Sequence, residues 1–254
     1  MKYQIIPKLL KFILGENMAL IEVKNLYSGY GKLKVLFDIN MKVEEKKITV
    51  VVGPNGAGKT TLLNSITGIA TIHGGKVFFE NKDITGMPPH KVAKLGIAYL
   101  PQMGNVFAGL TVYENLRMAG KLLDKSEIKD RIDEMMEMFP VLKEFAHRKA
   151  GTLSGGERRM LAIAMALMRR PKILLLDEIT TDLAPILVKR VLKRVVELKD
   201  ELDLTIVLVE QRAKRALEIG DYAYLLVSGT LRFSGKAQEL LEHPELSRLY
   251  LGIK

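Results

Sequence analysis

Residues 53–60 read Gly53-Pro54-Asn55-Gly56-Ala57-Gly58-Lys59-Thr60. They match G-x-x-x-x-G-K-[ST], with an apolar strand-like run at 48–52 before them and a helical pattern over 61–67 after them. A strand, a glycine-rich bend and a helix, in that order, make a cradle for phosphate. Glycines let successive N–H groups curl round anionic oxygens, and the helix adds its unpaired N–H groups and positive end. In this arrangement the backbone from Gly53 to Thr61 surrounds the phosphates. Lys59 reaches the β- and γ-phosphates, and the Thr60 hydroxyl ligates Mg²⁺.

Working outward, Ile173-Leu174-Leu175-Leu176-Asp177-Glu178 is an apolar run closed by two acids. It places both carboxylates at the carboxyl end of a buried strand, where an open α/β sheet binds its ligand. Asp177 is expected to hold Mg²⁺ through water and Glu178 to polarise an attacking water. Leu153-Ser154-Gly155-Gly156-Glu157 is also a capping box, Ser154 with Glu157, and so a helix start. Two glycines in the first turn cost helix stability, which suggests that something approaches the backbone closely there; a phosphate at the helix N-terminus is one such group.

The rest of the chain fits an α/β fold. Runs at 19–23, 37–43, 48–52 and 76–79 read as strands of a mostly antiparallel piece, with a turn at 80–83. Runs at 97–100, 173–176, 205–209 and 222–227 alternate with helical patterns, which argues for a parallel sheet. Between them, 111 to about 148 carries apolar residues at helical spacing, among them Ile128, Ile132, Met135, Met136 and Phe139. This stretch reads as an inserted helical subdomain whose apolar stripe is core packing.

Composition removes several classes of function. The 254 residues contain no cysteine, which excludes a disulfide framework, a thiolate metal site and a cysteine nucleophile. The net charge of +10 is spread along the chain, with no basic arm or tail of the kind that binds nucleic acid. No run approaches the ~20 apolar residues of a membrane span; the best candidate, 1–14, is broken by Lys2, Pro7, Lys8 and Lys11. Residues 1–18 read as a leader without assigned function: a short basic amphipathic anchor, a packed segment, or a stretch ahead of a functional start at Met18.

The phosphate loop, Leu100-Pro101-Gln102, LSGGE at 153–157 and Asp177-Glu178 together resemble the ATP-binding subunit of an ABC (ATP-binding cassette) transporter, over about residues 19–235. The resemblance implies a P-loop NTPase, RecA-like core in a domain spanning 19–254, with an antiparallel β subdomain and a helical subdomain at about 103–157. It implies a homodimer or heterodimer of ATPase subunits, in which Ser154, Gly155 and Gly156 contact the γ-phosphate of the partner's ATP. It further implies that Tyr30 stacks on adenine and that Gln102 reaches Mg²⁺ and the water. The expected partners are integral membrane permease subunits, and the expected place is the cytoplasmic face of the membrane.

Val209-Glu210-Gln211 follows the strand at 205–208, in the stretch where most of the superfamily has Thr-His-Asp, and the resemblance puts Gln211 at the switch position of the histidine. With Leu183-Ala184-Pro185 and Tyr250-Leu251-Gly252, this is similar to the ATPase subunits of branched-chain amino acid importers, which work with an extracytoplasmic solute-binding protein. A lipopolysaccharide-type exporter ATPase shares much of this layout. A soluble ABC protein acting on nucleic acid or ribosomes carries two cassettes or a long coiled coil, and neither is seen here. One stretch departs from the family: Ile179-Thr180-Thr181-Asp182 replaces the usual Pro-Ser or Pro-Thr followed by a small residue.

Overall fold

The computed structural model describes residues 19–103 and 105–251; the leader at 1–18 and Gly252 lie outside the described residues. Alternating apolar side chains build a long hairpin from β1 (Ala19–Tyr30) and β2 (Leu33–Glu44). β3 (Ile48–Val52) leads through the glycine-rich bend into α1 (Lys59–Ile66). β4 (Thr71–Phe79) and β5 (Lys82–Asp83) complete a four-stranded antiparallel sheet in the order β2-β1-β4-β5. After α2 (Pro89–Lys94) and β6 (Ile97–Leu100) come α3 (Val112–Ala119), α4 (Lys125–Met138), α5 (Pro140–Glu144) and α6 (Gly155–Leu167). The chain continues with β7 (Ile173–Asp177), α7 (Pro185–Leu202), β8 (Thr205–Glu210), α8 (Ala213–Leu217), β9 (Tyr222–Val227), β10 (Thr230–Lys236), α9 (Ala237–Glu242) and α10 (Pro244–Leu251). The second sheet runs β10-β9-β3-β8-β7-β6, parallel except for β10.

Three expectations from sequence are corrected. The run 48–52 does not join the antiparallel piece; it is paired on both sides in the parallel sheet. All five of its residues are buried, as befits a strand covered on both faces. β1 and β4 run far beyond 19–23 and 76–79, because their pairing continues through register shifts that alternation of side chains does not reveal. The helix after the bend starts at Lys59 rather than Thr61, with Thr67 as its C-cap.

Two apolar layers sandwich the parallel sheet. On one side Leu62, Leu63 and Ile66 of α1 pack against Val51, Leu175, Val207 and Val209 and the antiparallel sheet. On the other, Leu174, Leu176, Ile206 and Leu208 face α6 and α7, and the expected stripe of Ile132, Met135, Met136 and Phe139 joins this core. The registers Val52↔Glu210 and Asp177↔Val209 bring the carboxyl ends of β3, β7 and β8 level. The bend, the acid pair and Gln211 therefore meet at one edge of the sheet. Among the described residues no helix is long and apolar enough to cross a membrane.

Candidate active site

Two glycines of the bend are obligatory. Gly53 has φ 153°, and a Cβ there would lie 2.0 Å from the carbonyl oxygen of Leu226. Gly58 has φ 102°, and its Cβ would meet Leu36 Cδ2 at 2.6 Å. The first helical bond of α1 runs from Leu62 N–H to the Gly58 carbonyl at 2.9 Å. α1 has no side-chain cap, so the N–H groups of Lys59, Thr60 and Thr61 open toward the bend. Lys59 is buried; its Nζ donates to the carbonyls of Gly53 (3.0 Å) and Pro54 (3.1 Å) and stands 3.4 Å from Glu178 Oε1.

Asp177 ends a fully buried strand and is 1% exposed. Burial pushes its carboxyl above the usual range, while the hydroxyls of Thr60 and Tyr99 and the charge of Lys59 oppose that shift. Tyr99 donates to Asp177 Oδ2 at 3.1 Å. Burial, and then Asp177, push the Tyr99 phenol well up, so it serves as a donor. Asp177 Oδ1 is buried without a hydrogen-bond partner. Asp177, with its unpartnered Oδ1, and the Thr60 hydroxyl that interacts with the same carboxyl group are hard oxygen donors of the kind magnesium takes.

Glu178 has φ 47°, in the left-handed region. Its Oε2 accepts from Gln102 Nε2 at 3.0 Å. Together Val35, residues 55–61, Gln102, Glu178 and Gln211 line a cleft of about 430 Å³. The structure thus brings together Asn55, Gly56, Ala57, Gly58, Lys59, Thr60, Thr61, Gln102, Glu178 and Gln211; Asp177 is outside this lining but interacts with Thr60, Lys59 and Glu178.

Other expected residues stand apart. Tyr30 is not part of this lining; it ends β1, and its hydroxyl accepts from Asn64 Nδ2 of α1 at 2.8 Å. Ser154, Gly155 and Gly156 open α6 away from the cleft of their own chain. The capping box is formed, with Ser154 N–H to Glu157 Oε2 at 2.8 Å and Glu157 N–H to Ser154 Oγ at 3.3 Å. Within the chain, the close approach inferred from the two glycines is made by leucines. A Cβ on Gly155 would lie 3.0 Å from Leu183 Cδ2, and one on Gly156 would lie 3.2 Å from Leu187 Cδ2.

Four polar residues around the site were given no role at the site from sequence: Tyr99, Arg159, Thr180 and Glu210. Arg159, on α6, donates through Nη1 to the Gln102 carbonyl at 3.3 Å and faces Glu210 and Asp182. The buried Glu210 carboxylate holds both the N–H (3.0 Å) and the hydroxyl (2.7 Å) of Thr180. Desolvation raises its pKa to about 7. The only sequence signals were a glutamate closing an apolar strand and a second arginine after LSGGE. In the departing stretch, Ile179 is fully buried in the core under α6 and α7, which accounts for an aliphatic residue there.

With this geometry in place, the comparisons with known proteins are specific. A profile of the family described as ABC transporter matches residues 36–181. The chain is 54% identical over 234 residues, 92% of this chain and 99% of the relative, to the protein named probable branched-chain amino acid transport ATP-binding protein LivF of Archaeoglobus fulgidus. It is 40% identical over 223 residues, 88% of this chain and 95% of the relative, to the high-affinity branched-chain amino acid transport ATP-binding protein BraG of Pseudomonas aeruginosa. The crystal structure of the ADP conformation of an ATP-binding cassette of an ABC transporter superposes with a TM-score of 0.80 at 29% identity. That superposition covers 91% of this chain and 98% of the other. The chain therefore belongs to the ABC transporter family, as one of its ATP-binding, ATP-hydrolysing cassettes.

Proposed function

We propose that this chain hydrolyses MgATP, as a dimer with itself or a close cousin, on the cytoplasmic face of a membrane, to drive import of branched-chain amino acids. The observation that carries the chemistry is the convergence on one cleft of Lys59, Glu178 and Gln102, next to the buried Asp177 whose Oδ1 has no partner. Asp177 and Thr60, with Gln102, would hold magnesium, which supplies charge neutralisation at the β- and γ-phosphates. The N–H groups of residues 56–61 receive the phosphate oxygens. Lys59 exchanges its carbonyl and carboxylate partners for phosphate, which frees Glu178 to orient a water in line with the γ-phosphorus. Gln211 positions the same water from the end of the neighbouring strand β8. Tyr30 takes the adenine. Ser154, Gly155 and Gly156 serve the ATP of the partner protomer, consistent with their standing outside the cleft of their own chain.

A membrane permease must supply the transport path. A groove of about 440 Å³ between β6 and α6, lined by Ile69, Tyr99, Asn105, Ala119 and Ala166 among others, suits a permease segment. Met103, Phe107, Met118 and Leu122 remain exposed on the residues leading into α3 and at its end. An exporter ATPase would share this machinery; the import reading rests on the two named relatives and on Glu210-Gln211 at the switch. Recovery of the chain from native membranes with its permease and a branched-chain solute-binding protein tests the reading. Recovery with a lipid-exporting permease, or with nucleic acid, overturns it.

A further inference from the structure

Glu178 sits in a backbone conformation that non-glycine residues rarely adopt, with φ 47°. Such a residue persists only where its surroundings over-determine it. Here the end of β8 and the residues just after it grip the loop after β7 at three successive points. The Glu178 N–H donates to the Val209 carbonyl at 2.8 Å. Two residues on, the Glu210 carboxylate accepts from both the N–H and the hydroxyl of Thr180. At the loop's end, Arg212 Nη1 donates to the Leu183 carbonyl at 3.4 Å. The middle grip is entirely enclosed: Glu210 and Thr180 are each 1% exposed. A carboxylate that deep is unfavourable unless bonded, and Thr180 supplies the two bonds, with Arg159 as the facing cation and Glu178 as the facing anion. The next residue, just past the end of β8, is Gln211, which lines the cleft.

We infer that Glu210 and Thr180 form a positioning clamp for hydrolysis, in which the Glu210 carboxylate fixes the loop that aims Glu178 and ties it to Gln211. Neither residue touches the reacting atoms. The clamp holds the base of one strand end and the switch residue of the next in one rigid unit. The inference rests on the assignment of Glu178 as the residue that orients the water.

The clamp requires two bonds rather than a charge. Glutamine at 210 can retain both, Oε1 accepting from the Thr180 N–H and Nε2 donating to its Oγ1. Alanine loses both, and Thr180→Val loses only the hydroxyl bond. The test compares Glu210→Ala, Glu210→Gln, Thr180→Val and Thr180→Ser with Glu178→Gln in the full chain. The readouts are ATP turnover and the affinity for a fluorescent ATP analogue. Glu210→Ala and Thr180→Val should lower kcat roughly ten- to a hundredfold through misplacement of the base. Analogue affinity should hold within about twofold, and Glu210→Gln and Thr180→Ser should rescue turnover. Should Glu210→Ala not fold, Thr180→Val carries the test, since it keeps the carboxylate bonded to the backbone. Full kcat in Thr180→Val beside an inactive Glu178→Gln overturns the clamp. So does a parallel loss of affinity and kcat that the conservative variants do not restore. Normal turnover in Glu178→Gln instead removes the base assignment beneath it.

Discussion

The Nζ of Lys59 stands 3.4 Å from Oε1 of Glu178, while Gln102 Nε2 holds the other oxygen of that carboxylate at 3.0 Å. The lysine of the bend and the glutamate after β7 thus balance each other's charge inside the cleft, where Lys59 is only 4% exposed. A triphosphate must break this pair to bind, so phosphate binding and release of the glutamate are coupled.

That coupling makes opposite predictions for the two residues. Lys59→Ala removes the cation meant for the phosphates and should abolish nucleotide binding or turnover, at a cost of several kcal/mol in transition-state stabilisation. Glu178→Gln removes the carboxylate that polarises water, and with it the charge partner of Lys59, but leaves the phosphate cradle intact. It should retain ATP, accumulate as a nucleotide-bound dimer and slow phosphate release by about 10²–10⁴-fold. Calorimetric titration with MgATP, together with phosphate release, separates the two; near-normal turnover in Lys59→Ala would exclude the bend as the site.

Tyr30 offers a second test, because the structure gives it two separable attachments. Its hydroxyl accepts from Asn64, and the residue, at the end of β1, is 43% exposed. If the ring stacks on adenine, Tyr30→Ala should weaken ATP affinity by roughly 1–2 kcal/mol. Tyr30→Phe, which keeps the ring and loses only the bond to Asn64, should bind ATP nearly as tightly as the parent. Equal losses in both would place the role in the Asn64 contact instead.

What the sequence made legible follows from the physics of each feature. The bend, the acid pair and the capping box are local, since each is specified by residues adjacent in the chain. Their spacing therefore carries the chemistry without tertiary information. The sheet assignment of Ile48–Val52 is not local, because an apolar pentapeptide has the same pattern in either sheet until its neighbours are known. The partnership of Glu210 with Thr180 spans 30 residues, and that of Arg159 with Gln102 spans 57. No periodicity encodes such a pair; each appears alone as a charged residue near a strand or helix end. The glycines of LSGGE were read as space for phosphate, and the packing of Leu183 and Leu187 on them shows a second reason for their small size.

Arg131 supports a third prediction, on stability. It is buried on α4, where Nε donates to the Met168 carbonyl at 3.1 Å and Nη2 to that of Leu167 at 2.6 Å. It also pairs with Glu134 one turn on. The guanidinium therefore closes the C-terminal end of α6, the helix that Ser154 opens. Arg131→Met fills the space but leaves those carbonyls unpaired, and should cost about 2–3 kcal/mol. For a chain of this size that is a fall of roughly 5–10 °C in Tm. Scanning calorimetry checks it, and an unchanged Tm would show the bonds to be dispensable.

The last prediction concerns pH and follows from Glu210. Burial is the main cause that lifts its pKa from 4.5 to about 7, and Glu178 adds to the shift; the two Thr180 bonds and Arg159 oppose it. The folded chain therefore keeps a proton on Glu210 that the unfolded chain has already released. Across the interval from 4.5 to 7 the native state binds more protons than the unfolded one, so this residue makes stability fall as pH rises, and the loss is complete above 7. A shift of that size corresponds to about 3 kcal/mol. Glu210→Gln has no proton to lose and keeps the geometry of the clamp. Its advantage over the parent should be greatest at pH 8, shrink through the interval and vanish below pH 4.5. Denaturant midpoints measured for both chains across that range give the comparison directly. An advantage that is constant with pH, or largest in acid, would mean that Glu210 does not hold its proton in the folded chain.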